Sequence, residues 1–206
     1  AKGNTRVGHI INDTGLDKGV VVKYLGVLID LHLVQREVPV TEKSPAKSRK
    51  GIYRLSDNFF RFWFRFVYPN LQTIEEGRQD WLVDTVIRPR MDEFTGPIFE
   101  AVAREALQAM DKIGQFPFQL EKLGRWWDKD AEIDLIGMGG KENLFCEVKW
   151  SDGVDASEVV HKLQQSAAGT GLSGKPHFCV IARSFKRDVP GILQLDLKKL
   201  EKLFSA

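Results

Sequence analysis

The chain has 206 residues, 43% hydrophobic and 28% charged, with a net charge of +2, which is the balance of an ordinary globular protein. That composition excludes a membrane span: the densest apolar run, FFRFWFRFVY at 59–68, falls short of the ~18 residues required and is broken by Arg61 and Arg65. The start, AKGNTRVGHI, lacks the apolar core of a signal peptide. Cys146 and Cys179 both lie in apolar segments that suit reduced, buried thiols, so a cytoplasmic location and no membrane partner are expected. The four histidines are scattered, and no Cys/His spacing suggests zinc.

In chain order, TRVGHIINDTG predicts a short helix, with Val7, Ile10 and Ile11 on one face and Gly15 as its stop. LDKGVVVKYLGVLIDLHLV predicts a second, capped by Asp17, with Val21, Leu25, Leu28 and Ile29 apolar. Two strands follow, LVQREVPV and GIYRLS, separated by the polar stretch TEKSPAKSRK. Helix, turn, helix and a hairpin with a basic tip is the order of a winged helix-turn-helix, placed at residues 1–56. Such domains begin with one more helix. Its absence before Ala1, and the lack of an initiator Met, suggest that the chain is the C-terminal part of something longer. Residues 1–68 carry twelve Lys and Arg against six Asp and Glu, and the rest eighteen against twenty-two. The front is therefore the part expected to meet a polyanion.

DNFFRFWFRFVYPN predicts a helix capped by Asp57 and ended by Pro69, its aromatics on nearly every face, as in a buried helix. With the irregular helical stretch that follows, it forms an expected connector at 57–94. Residues 95–206 then read as helix (95–110), three strands (119–129, EIDLIGM, NLFCEVKWS), helix (DASEVVHKLQQSAAG), strand (HFCVIARSF) and a final strand-to-helix segment. The expected fold class is α+β: a winged helix-turn-helix followed by a mixed α/β domain with an αβββαβ core.

The hairpin AEIDLIGMGGKENLFCEVKW hides charge among apolar residues, which is costly unless the charge is paired or binds metal. Alternation puts Glu132 and Asp134 on one face of the first strand, with Ile133 and Leu135 on the other. On the second strand Phe145, Glu147 and Lys149 share a face opposite to Leu144, Cys146, Val148 and Trp150. A turn at Gly140-Lys141 sets Asp134 across from Glu147, and Glu132 across from Lys149. Two adjacent carboxylates, with the main-chain carbonyl of Val148, suit a hard cation such as Mg²⁺ or Mn²⁺. Such an ion activates water for phosphoryl chemistry, and a lysine two residues from a ligand can position that water. The same side chains also suit a structural ion-pair cluster at a sheet edge.

Asp134, followed about a dozen residues later by Glu147-Val148-Lys149 on the next strand, resembles the PD-(D/E)XK phosphodiesterase superfamily, whose core order matches the one read above. That resemblance implies a restriction-endonuclease-like domain and a glutamate from the first helix, the place that Glu100 takes in GPIFEAVARE. The proline that usually precedes the aspartate is Ile133 here. Gln164 and Gln165 lack the tyrosine of one branch, which is not supported. More narrowly, LVQREVPVTE, GIYRLSDNFFRFWFRFVYPN, TGPIFE, GRWW, EIDLI and EVKWS resemble the C-terminal region of archaeal P-loop ATPases. This implies an ATPase domain as partner and ATP only through that domain, since no G-x-x-x-x-G-K-[ST] occurs in this chain.

Two functions follow as expectations. In the first, Asp134, Glu147 and Glu100 hold the ion, Lys149 positions water, and the front domain delivers DNA. There Lys18 and Lys23 on the second helix reach the major groove, and Lys43, Lys47, Arg49 and Lys50 reach phosphates. In the second, the same fold is a non-catalytic DNA-binding or regulatory scaffold of the parent ATPase. Glu132 is a weaker candidate. Trp126, Trp127, His161 and His177 are expected mainly as packing residues.

Overall fold

The computed structural model describes residues 5–205. The chain is a mixed α+β protein that forms two compact units. One holds the residues through Val38 together with Glu42–Phe94. The other holds Pro39–Thr41 and the residues from Thr95 onward.

In the first unit, α1 (Val7–Thr14) ends at Gly15, whose φ of 66° only glycine adopts freely. Helix α2 (Lys18–Asp30) begins at Asp17, whose carboxylate accepts the Gly19 N–H at 2.6 Å. It ends with His32 in the left-handed region at φ 59°; the His32 and Leu33 N–H groups return to the carbonyls of Ile29 and Leu28, each at 2.9 Å. Strands β1 (Val34–Glu37) and β2 (Ile52–Leu55) pair antiparallel, and Val21, Leu25 and Val34 form the core beneath them. Their basic connection is built rather than loose. Arg36 donates to the carbonyls of Pro45 and Ser48 at 2.9 and 2.6 Å. A Cβ on Gly51 would lie 2.7 Å from that guanidinium, so a larger residue there would have to push Arg36 off these carbonyls.

The aromatic segment departs from expectation. Asp57 does cap it, accepting the Phe59 and Phe60 N–H groups, but α3 (Asn58–Phe62) widens into a π turn, Trp63–Val67, before the 3₁₀ turn Tyr68–Asn70. It resumes as α4 (Leu71–Glu75), and the pattern recurs: α5 (Gln79–Leu82), a π turn Val83–Ile87 and a 3₁₀ turn Arg88–Arg90. Pro69 and Pro89 explain both breaks: a proline has no N–H and its ring collides with the carbonyl one turn back, so the helix loosens before it. Nor is the segment buried all round. Phe66 is buried, while Phe59, Phe64 and Tyr68 are exposed.

Helix α6 (Met91–Lys112), which lies in the second unit from Thr95 onward, precedes β3 (Lys122–Trp127), β4 (Glu132–Gly139) and β5 (Glu142–Lys149). Helix α7 (Ala156–Gly169), β6 (Lys175–Ala182), β7 (Ile192–Leu195) and α8 (Leu197–Phe204) follow. The five strands lie in chain order, β3-β4-β5 antiparallel and β5-β6-β7 parallel. Phe99, Ala103, Ala106 and Leu107 of α6 pack on one face against Leu135, Leu144, Cys146, Val148, Cys179 and Ile181. Leu163 of α7 packs on the other against Trp126, Ile133, Ile136 and Phe145. Apolar surface on both faces is what removes this sheet from water and holds it in place.

Candidate active site

The hairpin turn is where the residues dictate it: Gly139 pairs with Glu142, leaving Gly140-Lys141 as the loop, with Gly140 at φ 56°. On β5 the expected alternation holds, Leu144, Cys146 and Val148 packing on the α6 side and Phe145 on the α7 side.

On β4 it does not. Gly124 pairs with Ile136 but Trp126 pairs with Ile133, so Asp134 and Leu135 together oppose the single residue Arg125. This is a β-bulge, a feature that re-aims side chains at sheet edges and active sites. It puts Ile133 and Ile136 on the α7 side and Leu135 on the α6 side. The expectation that Ile133 and Leu135 share a face is therefore corrected: the extra residue breaks the period of two.

The bulge lies where β4 and β5 part. Leu135–Cys146 is the last pair between them, and the register, carried one step further, sets Asp134 opposite Glu147. Beyond that pair the Val148 N–H donates to Oδ2 of Asp134 at 2.8 Å. A side-chain carboxylate thus closes the ladder. Asp134 is 8% exposed. Burial, then the charge of Glu147 and that of Glu100, push its pKa up to about 7, while the Val148 N–H and Arg125 pull the other way.

Lys149 is half-exposed, its Nζ 2.5 Å from Oε1 of Glu147. Desolvation lowers its pKa, but Glu147, Asp134 and Glu132 outweigh that and leave it above the ordinary lysine value. Glu132 is not held by Lys149. It pairs with Trp127 across β3 and is exposed, 3.7 Å from Nη2 of Arg125. Glu100, on α6, is bound by Nη1 of Arg125. Four acids and two cations therefore converge on this end of the sheet.

Arg125 is the residue that sequence reasoning passed over. The signal was a cation between Gly124 and Trp126 in an apolar strand, and its alternation with Trp126 turns it toward α6.

An ion fits part of this arrangement. Among the described residues no three His, Cys, Asp or Glu side chains gather as a metal group. Asp134 and Glu147 nevertheless supply two hard oxygen donors with surplus negative charge, and Mg²⁺ is commonly held by one or two carboxylates plus substrate phosphates. Trp126 and Trp127 are buried, Trp126 within the α7-side core. His161 is exposed on α7. His177 bonds Glu142 at 2.7 Å, at the far end of β5, roughly 20 Å from Lys149 at 3.3 Å per residue. In the first unit, Lys18 and Lys23 are exposed on α2, and Lys43, Lys47, Arg49 and Lys50 on the β1–β2 connection, with Lys50 3.6 Å from Glu42. Leu16, Val20, Tyr24, Val27 and Leu31 are exposed alongside the two lysines, an apolar stripe apart from the packed face of Val21, Leu25, Leu28 and Ile29. Among the described residues no helix is long and apolar enough to cross a membrane.

Residues 63–163 match a family described as archaea bacterial proteins of unknown function (DUF234). An uncharacterized protein of Methanocaldococcus jannaschii is 35% identical over 191 residues, 90% of this chain and 42% of that protein. The chain thus spans less than half the length of that relative. No solved structure matches it.

Proposed function

We propose that this chain, which belongs to that family through residues 63–163 and corresponds to the C-terminal domain of archaeal ATPases, binds DNA and cleaves its phosphodiester backbone with Mg²⁺ or Mn²⁺. One observation carries the reading: Asp134, Glu147 and Lys149 meet where β4 and β5 part, in a framework of helix, three antiparallel strands, helix and parallel strand. That order and those three residues are what a PD-(D/E)XK nuclease requires. The helices α1 and α2 with the β1–β2 hairpin supply the parts of a winged helix-turn-helix for holding the duplex.

Asp134 and Glu147 would hold the ion through their side chains, with the Val148 carbonyl, between Glu147 and Lys149, as a further oxygen donor. The bound ion would lower the pKa of a water and offset charge on the phosphoryl transition state. The Val148 N–H fixes the Asp134 carboxylate, so its direction is set before substrate arrives. Lys149 is exposed enough to exchange Glu147 for a phosphate oxygen, placing a positive charge beside the reacting phosphorus. ATP enters this account only through the ATPase portion of the longer protein.

Nicking of supercoiled plasmid tests it. The wild type nicks in Mg²⁺ or Mn²⁺ but not in EDTA, and Asp134→Asn and Glu147→Gln do not nick. A folded wild-type chain inert in both ions contradicts the reading. It would favour the scaffold role, for which the resting pairs Lys149–Glu147 and Arg125–Glu100 already give each cation a partner.

A further inference from the structure

We infer that Arg125 is the site's built-in cation: it withholds Glu100 from the divalent ion and thereby sets how tightly that ion is held. This rests on the metal-dependent reading above. Arg125 is held through its main chain and through both terminal nitrogens, while its buried Nε has no hydrogen-bond partner. Its main-chain carbonyl accepts the Val40 N–H at 2.8 Å, and the Asp134–Leu135 bulge lies opposite it on β4. Its side chain is only 10% exposed, with Nη1 on Glu100 and Nη2 3.7 Å from Glu132.

A guanidinium cannot deprotonate, and a buried charge deprived of its partner is strongly disfavoured, so this pair holds together. The other cation of the site behaves differently. Lys149 is 44% exposed on a flexible stem and can leave Glu147 for a phosphate. The site therefore has one movable cation and one fixed one. The fixed one occupies Glu100, and no three-acid group forms among the described residues. Two carboxylates, not three, are offered to an ion.

The test is Mn²⁺ titration calorimetry on the full 206-residue chain, comparing wild type, Glu100→Gln, Arg125→Gln and the double variant, with thermal melts to confirm folding. Glu100→Gln is expected to bind Mn²⁺ no more tightly than wild type, because Glu100 is already occupied and its loss leaves the Arg125 charge unpaired. Arg125→Gln is expected to bind more tightly, by roughly 5- to 150-fold, the range usual for coupled sites. The double variant should return to wild-type affinity, and it strands neither half of the pair. Weaker binding by the double variant than by wild type overturns the inference, since Glu100 would then already be a ligand. Equal affinity in all four overturns it while leaving the metal site standing. Binding by none overturns both. If Arg125→Gln fails to fold, the comparison of the double variant with wild type still decides.

Discussion

The Asp134 carboxylate accepts the Val148 N–H at 2.8 Å, a hydrogen bond that a continuing ladder would have given to the main chain of β4. The substitution costs little hydrogen bonding and places an ionisable group where it is 8% exposed and faces Glu147.

Stability should therefore fall as pH rises through this site. Folded Asp134 keeps its proton up to about pH 7, whereas the ordinary value, which the unfolded chain approaches, is 3.8. Between those values the folded state binds more protons, so each step upward in pH favours unfolding, and the full penalty stands above pH 7. The penalty is on the order of 2–4 kcal/mol. Asp134→Asn can still accept from Val148 but carries no charge. It is predicted to be more stable than wild type by about 1–3 kcal/mol at pH 8 and about equal near pH 4. Urea unfolding across that range checks this, and parallel pH profiles for the two proteins would contradict it.

The basic connection between β1 and β2 makes a prediction about salt. Each cation that neutralises a phosphate of duplex DNA adds about 0.9 to the steepness with which log K falls against log salt. Replacing Lys47, Arg49 and Lys50 with alanine should flatten that slope by roughly 2 to 3 and weaken binding alike on unrelated sequences. Fluorescence anisotropy on a short duplex at several salt concentrations measures it. An unchanged slope would put the DNA-binding surface elsewhere.

His32 offers a test confined to the fold. At φ 59° it closes α2 in a conformation that costs a non-glycine residue roughly 1 kcal/mol or more. His32→Gly should therefore stabilise the chain by about 0.5–1 kcal/mol, read from thermal melts. Destabilisation would mean that the imidazole makes an interaction that matters more than the backbone.

What could be read from the residues was what local chemistry specifies. Asp17, Asp57 and Gly15 marked helix ends because a carboxylate accepts orphan N–H groups and glycine tolerates positive φ. Gly140-Lys141 fixed the turn, and the turn fixed the register that brings Asp134 to Glu147. The bulge was not legible. It adds one residue to β4 at Asp134–Leu135, where β4 itself has no glycine or proline to mark it, so strict alternation misassigned Ile133 relative to Leu135. Arg125 escaped for a related reason: its partners, Glu100 and Glu132, are brought to it only by the packing of α6 and the pairing of β3 with β4. The exposed stripe on α2 and the exposed Phe59, Phe64 and Tyr68 show the converse, since periodicity identifies an apolar face but not whether anything covers it.

The most direct measurement is the single-turnover rate of duplex cleavage in Mg²⁺ by wild type and Lys149→Ala at saturating protein. The predicted result is cleavage by wild type and a loss of roughly 10²–10³-fold in the variant, as for removal of one charge-stabilising donor from an active site. Cleavage at the wild-type rate by Lys149→Ala, or none by wild type, would contradict catalysis at Asp134, Glu147 and Lys149.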